Sequence, residues 1–186
     1  MQGPLETEVK IRVADLADVC RRIEALGFQI AQPREFESNT LYDTESRSLL
    51  ASGTLLRLRE SGGRYFVTWK GRYQAGPHKT RPELETSLGS LETMAQIFGR
   101  LGYAPVFRYE KYRREYRVAG QPGAITADET PIGNFLELEG PGTWIDETAQ
   151  QLGLRPADYV LESYARLYFK DCELRGIAPT NMVFAR

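Results

Sequence analysis

Leu5-Glu6-Thr7-Glu8-Val9-Lys10-Ile11 is the stretch on which the reading of this chain turns. In an extended strand successive side chains point to opposite faces, so Leu5, Thr7, Val9 and Ile11 share one face while Glu6, Glu8 and Lys10 share the other. Alternation of this kind usually marks a half-buried strand with an ordinary solvated face. Two carboxylates and an ammonium in one row suggest a face that binds something, and the reading is strengthened because similar rows recur.

Those rows run through most of the chain. Arg57 and Arg59 alternate with Leu56 and Leu58, and Lys70 follows Thr68 at the same spacing. Glu83 and Glu85 alternate with Leu84 and Thr86; Lys111 and Arg113 alternate with Tyr112 and Arg114; Glu137 and Glu139 alternate with Leu136 and Leu138. Asp128 lies in the stretch between the last two rows. If the rows faced solvent one by one, little would follow, because exposed charges contribute little to stability. If they converge inside a closed barrel, each buried ion needs a partner, since an unpaired one costs several kcal/mol. Such an interior must be wet and must hold ligands of both signs. Six cations (Lys10, Arg57, Arg59, Lys70, Lys111, Arg113) suit a polyphosphate, and arginine grips phosphate oxygens bidentately. The acids Glu6, Glu8, Glu83, Glu85, Asp128, Glu137 and Glu139 are hard oxygen donors, suited to Mg²⁺ or Mn²⁺ rather than zinc.

Around the rows the pattern predicts an α+β chain dominated by antiparallel strands. Asp15 can cap a helix with Leu16, Val19, Cys20, Ile23 and Leu26 on one face and Gly27 behind it. A strand is expected around residues 40–44, then a connection at 46–53 with room for a helical turn. Strands at 54–59 and 64–70 flank a Gly62-Gly63 hairpin signal. Residues 71–79 read as a loop, 80–87 as a strand, and Ser90 caps a second helix ending at Leu101. Strands follow at 106–118, 123–130 and 134–139, then helices at 143–152 and 156–170, the latter with Pro156 in its first turn. A helix after the first strand of each half hints at a weak internal duplication.

With 186 residues the chain suits one domain, 1–186, with a substantial core. Its 24 basic and 25 acidic residues leave a net charge of −1, which argues against a nucleic-acid binder working by bulk charge. Cys20 and Cys172 have no metal-like spacing, and no apolar run approaches a membrane span. The expectation is a reduced, cytoplasmic protein without membrane or nucleic-acid partners. The single histidine, His78, in a Gly/Pro loop leaves little room for histidine-based triads or zinc sites.

Glu6-x-Glu8-x-Lys10 resembles the signature of the CYTH superfamily, the triphosphate tunnel metalloenzymes. The resemblance extends through Tyr42-x-Thr44, Leu56-Arg57-Leu58-Arg59, Thr68-Trp69-Lys70-Gly71, Glu83-x-Glu85, Glu110-Lys111-x-Arg113, Asp128 and residues 133–139. It implies an eight-stranded antiparallel tunnel with helices packed outside and a C-terminal helix, entered at Ser163-Tyr164, near one mouth. It would place Lys10, Arg57, Arg59, Lys70, Lys111 and Arg113 on the phosphates. Glu6, Glu8, Asp128, Glu137 and Glu139 would surround one or two Mg²⁺ or Mn²⁺ ions, with Glu83 and Glu85 completing an acidic ring. Lys10 beside Tyr42 would serve as a catalytic base-like pair, because a lysine among cations gives up its proton more readily; the other reading of Tyr42 is a packed tyrosine. The implied activity is metal-dependent hydrolysis of a small triphosphate: inorganic, thiamine or nucleoside. The alternatives are a class IV adenylate cyclase, which makes cyclic AMP and pyrophosphate from ATP, and a non-catalytic polyphosphate-binding module. The intact Glu83/Glu85 and Glu137/Glu139 pairs tilt the reading towards hydrolysis. A barrel edge or the cover helices could support a homodimer.

Overall fold

The computed structural model describes residues 4–185. Period-two alternation produces eight long strands: β1 Leu5–Val13, β2 Gln29–Asp43, β3 Leu55–Ser61, β4 Arg64–Lys70, β5 Lys79–Leu88, β6 Ala104–Arg117, β7 Ala124–Thr130 and β8 Gly133–Glu139. They pair antiparallel in the order β5-β4-β3-β2-β6-β7-β8-β1, and β1 returns to β5 from Leu5↔Pro82 to Glu8↔Lys79. The sheet is therefore a closed barrel, which leaves no long edge to template aggregation. The order is unchanged when β1–β4 are exchanged with β5–β8, so the two halves are topological repeats. The helices α1 Leu16–Ala25 and α3 Leu91–Arg100 occupy equivalent places after β1 and β5.

The apolar faces of the strands look outward, and the helices cover much of them, while Leu5, Trp69 and Leu84 stay exposed. Val9, Ile11, Leu136 and Leu138 are 0–1% exposed and pack under Val19 and Ile23 of α1 and Trp144 and Ile145 of α4 (Gly142–Gln151). Tyr42, Leu58 and Phe98 form the matching cluster beneath α3. Burying one such side chain contributes about 1.5–3 kcal/mol, so the helical jacket is what permits the opposite, charged face to turn inward. Asp15 and Ser90 cap α1 and α3 by accepting from the N–H of Asp18 and Thr93.

Local signals account for most boundaries. Gly62 and Gly63 have φ of +53° and +73°, the double positive φ of a type I′ hairpin joining Ser61↔Arg64. A short helix α2, Ser48–Ser52, fills the connection after β2, and its first turn is held by Asp43, which accepts from the N–H of Leu49 and Leu50. Two expectations change. β2 is fifteen residues long, because bulges between Ile30 and Gln32 and between Gln32 and Glu35 carry the polar, proline-containing segment into the sheet. The helix expected over 156–170 is broken. Pro156–Asp158 forms one 3₁₀ turn, Tyr159–Val160 (β9) pairs with Lys10 and Ile11, and α5 runs Tyr164–Leu174. The cause is β1: β5 leaves its edge at Glu8, so its next backbone groups recruit β9.

α5 and the following segment close one end of the barrel. Tyr164, Phe107, Tyr109, Ile132, Phe135 and Met182 form an apolar plug where β6 and β8 begin. Met182 also bridges to Tyr109 in parallel, covering the part of β6 that β7 is too short to reach. Cys20 and Cys172 are free and buried. Among the described residues no helix is long and apolar enough to cross a membrane.

Candidate active site

The barrel encloses a cavity of about 280 Å³. Charged side chains reach it from six of the eight strands: Glu6, Glu8 and Lys10 from β1; Arg57 and Arg59 from β3; Lys70 from β4; Lys79, Arg81, Glu83 and Glu85 from β5; Lys111, Arg113, Glu115 and Arg117 from β6; Glu137 and Glu139 from β8. Every cation read from the sequence as a phosphate ligand is on this wall. So are Glu6, Glu8, Glu83, Glu85, Glu137 and Glu139. Ser163, Tyr164 and Ala165 at the start of α5 line the same space.

The charges are paired across the barrel. Lys10 Nζ donates to Glu137 Oε1 at 2.6 Å and lies 4.4 Å from the centre of the Tyr164 ring. Lys70 Nζ bridges Glu6 at 2.8 Å and Glu83 at 2.7 Å, while Arg81 Nε reaches Glu6 at 3.4 Å. Lys79 is paired with Glu8. Arg57 donates to Thr68, Tyr109 and Glu85, and Arg59 Nη2 donates to Glu85 Oε1 at 2.6 Å.

Two residues stand elsewhere than the sequence suggested. Tyr42 does not line the cavity. It lies on the opposite face of β2 from Leu41, which does, and its ring packs 5.1 Å from Phe98 of α3. Lys10 and Tyr42 are thus not brought together in this structure, and the Tyr42 ring is packed in the cluster beneath α3. Asp128 points inward but is 0% exposed behind the wall. Arg113 grips both its oxygens at 2.7 and 2.6 Å, Lys111 donates at 3.0 Å and Tyr164 Oη at 2.6 Å. In this structure both oxygens of Asp128 are taken by the cluster's cations and Tyr164, as both oxygens of Glu137 are taken by Lys10 and Arg113. Lys79 and Arg81 are not among the cations read from the sequence, although Lys79-x-Arg81-x-Glu83-x-Glu85 is one row: the Gly/Pro loop reading takes in Lys79, the first residue of β5, and Arg81 stands in the expected strand without being joined to the row. His78 lies outside the cavity, with Nε2 2.9 Å from Asp146.

Electrostatics divides the acids into two groups. Burial alone would push the Glu8 and Glu137 carboxyls up, but Lys79 and Lys10 outweigh it for Glu8, and Lys10 and Arg113 for Glu137; both are held well below the usual range. Glu83 and Glu139 go the other way. Burial, then the hydrogen bond with Glu6, raises Glu83 to about 7; burial, then the charges of Glu6 and Glu8, raises Glu139 to about 7. Among the described residues no three acids converge closely enough to hold a metal ion as they stand. The donor set still fits one. Glu83 and Glu139, crowded by the charges of Glu6 and Glu8, retain protons near neutrality, a repulsion that a hard divalent cation would relieve.

The raised pair predicts a pH dependence. Glu83 and Glu139 hold protons more tightly folded than at their ordinary value of 4.5, so the stability they contribute is full below that value and lost as pH rises through about 7. Glu139 is exposed and Glu83 half-buried, so Glu83 carries the larger share. Urea midpoints at constant ionic strength should fall between pH 5 and 8, and Glu83→Gln should flatten the fall. An unchanged slope in that variant would exclude Glu83 as its source.

Comparison with known proteins adds to this geometry. A family model described as the CYTH domain matches residues 4–164. A protein of Methanocaldococcus jannaschii with a provisional adenylate cyclase name is 32% identical over 135 residues, 73% of this chain and 76% of that one. A Vibrio parahaemolyticus structure, also provisionally named an adenylate cyclase, superposes with a TM-score of 0.79 at 24% identity, over 89% of this chain and 98% of that one. A Hippeastrum structure described as an adenylyl cyclase with a dominant triphosphatase activity has a TM-score of 0.62 at 14% identity, over 96% of this chain and 98% of that one.

Proposed function

The chain belongs to the CYTH family, and from that premise we propose that it is a divalent-metal-dependent phosphohydrolase acting on a triphosphate held in the tunnel. The observation that carries the reading is the convergence of nine cations from five strands on one cavity. Phosphoryl transfer asks for charge neutralisation and alignment more than for covalent chemistry. Arg57, Arg59, Lys70, Lys111 and Arg113, with Lys10, Lys79 and Arg81, would grip the phosphate oxygens, the arginines bidentately. Seven carboxylates share the wall, and Glu37 and Asp128 lie buried behind it. The nine cations are thereby balanced, so a polyanion would leave the tunnel negative unless cations enter with it. Glu6, Glu8 and Glu139, with Glu137 behind them, are the residues that would hold Mg²⁺ or Mn²⁺. When bound, such an ion neutralises the triphosphate and activates water.

Hydrolysis is favoured over cyclisation by the interior. The tunnel's two rings, Tyr109 and Tyr164, are 8% and 6% exposed, with their hydroxyls engaged by Arg57 and Asp128, so neither offers a free face to a base. The name of the M. jannaschii relative supports the second reading, an adenylate cyclase using the same cradle. The Hippeastrum protein, described by both activities, shows that a cyclase name does not separate the two chemistries.

The test is incubation with tripolyphosphate, thiamine triphosphate and ATP, with Mg²⁺ and then Mn²⁺, resolved by phosphorus NMR. Orthophosphate release supports the hydrolase; cyclic AMP with pyrophosphate supports the cyclase instead. Binding is tested separately: tripolyphosphate at 100 times its Kd should stabilise the fold by about 2.7 kcal/mol. A flat thermal-shift response counts against the cradle, and a shift without turnover supports a binding module.

A further inference from the structure

Among the described residues, four side-chain atoms on two adjacent strands are buried without a hydrogen-bond partner: Glu37 Oε2, which has Lys111 Nζ at 3.6 Å, Asn39 Oδ1 and Asn39 Nδ2 on β2, and Arg59 Nε on β3. Glu37 and Asn39 share the inward face of β2 with Leu41. Asn39 is opposite Arg59 on one side and Tyr109 on the other, and both neighbours line the cavity. Asn39 itself is 0% exposed. A carboxamide sealed inside a protein with neither end paired is rare and costly, and it calls for a ligand or a water.

The set has a definite chemistry. Arg59 Nε and Asn39 Nδ2 can only donate; Asn39 Oδ1 can only accept. Glu37 also accepts: burial opposes its charge, but Lys111, Arg113 and Arg59 outweigh that and hold it at about 2. A phosphate oxygen would satisfy the donors and repel Glu37, and a metal ion would do the reverse. An O–H group, which donates and accepts at one atom, satisfies both.

We propose that Glu37, Asn39 and Arg59 form a pocket for a hydroxyl oxygen, of water or of a substrate alcohol, which attacks the phosphorus held in the neighbouring cradle. The proposal rests on the triphosphate reading of the tunnel. In the attack a new P–O bond forms as the bridging P–O bond breaks. The bridging oxygen keeps the electron pair, and the hydroxyl proton ends on the departing phosphate. Arg59 closes the pocket in this structure: it is tied to Glu85 at 2.6 Å and rests 4.8 Å from the centre of the Phe66 ring. A phosphate that takes Arg59 from Glu85 opens the space beside Asn39, so the hydroxyl site is completed by the substrate.

The experiment compares Asn39→Leu and Asn39→Ala with the native protein, with Asn39→Ser as the conservative variant. Urea midpoints establish which variants fold, and calorimetry with tripolyphosphate establishes that the cradle is intact. If the pocket holds water, Asn39→Leu and Asn39→Ala bind tripolyphosphate within about twofold of native while kcat falls at least tenfold, and Asn39→Ser recovers part of the loss. If it holds a substrate alcohol, tripolyphosphate hydrolysis is unchanged but the native preference for ATP over 3′-deoxy-ATP disappears. Unchanged kcat together with an unchanged preference overturns the proposal. So does a loss of tripolyphosphate affinity matching the loss of kcat, which would make Asn39 a phosphate contact. A native protein that neither binds nor turns over any triphosphate removes the premise itself, an outcome distinct from any result with the variants.

Discussion

Replacing Asp128 with alanine will lower the unfolding free energy by about 3–5 kcal/mol, the range for removing one partner of a buried ion pair. No other single change in the tunnel should cost as much stability. Asp128 is 0% exposed and receives hydrogen bonds from Lys111, from two nitrogens of Arg113 and from Tyr164. Without it two cations keep their burial and lose a shared counter-charge. Glu37 and Glu137 remain close to them, at 3.6 Å from Lys111 and in contact with Arg113 respectively. This should hold the loss inside that range rather than above it. At roughly 2–4 °C per kcal/mol for a chain of this size, the melting point should drop by about 10 °C. Tyr164→Phe removes one hydrogen bond to the same carboxylate and should cost about 1.5–3 kcal/mol. The two losses should be less than additive in the double variant, since they share an acceptor. Urea denaturation of the three variants measures this. A loss below 1 kcal/mol for Asp128→Ala would mean that water replaces the carboxylate and that this end of the tunnel is not dry.

Glu137→Gln should reduce metal-dependent turnover by at least about 10²-fold, comparable to deleting a group that organises charge in a transition state, while the protein still folds. Glu137 joins Lys10, at 2.6 Å, to Arg113, and its carboxyl is held ionised by them against the effect of burial. Glutamine keeps the shape and one acceptor but removes the charge that a cation beside the triphosphate needs. Arg113 retains Asp128 as a partner, so the stability loss should be smaller than for Asp128→Ala. Tripolyphosphate affinity, measured by calorimetry without metal, should hold or rise, because a repelling carboxylate is gone. Full activity in this variant would remove Glu137 from the metal-binding group.

The inward charged rows were legible because a strand displays its faces with period two. Glu6-x-Glu8-x-Lys10 and Arg57-x-Arg59 need no partner strand to be recognised as rows. Lys79 and Arg81 were legible in the same way: Lys79 fell to a loop boundary set by Gly76 and Pro77, whereas Arg81, inside the expected strand, was not joined to the Glu83-x-Glu85 row. Tyr42 shows the limit. Its face depends on the parity of a fifteen-residue strand carrying bulges, and the polar segment around Pro33 hid most of that strand. Asn39 gave no signal at all, because an asparagine among polar residues has no significance until its neighbours are known to leave it unpaired.

By itself, then, the sequence determined that this chain would present alternate faces of opposite character, and which residue types each face would carry. Folding decided who meets whom: Glu8 with Lys79, Lys10 with Glu137, and Asp128 with a tyrosine at the start of the last helix. The physical reason is range. Side-chain alternation is set by the backbone of two or three residues, whereas register, shear and closure are set by the pairing of strands far apart in the chain. Only that closure turns rows of charge into one cavity.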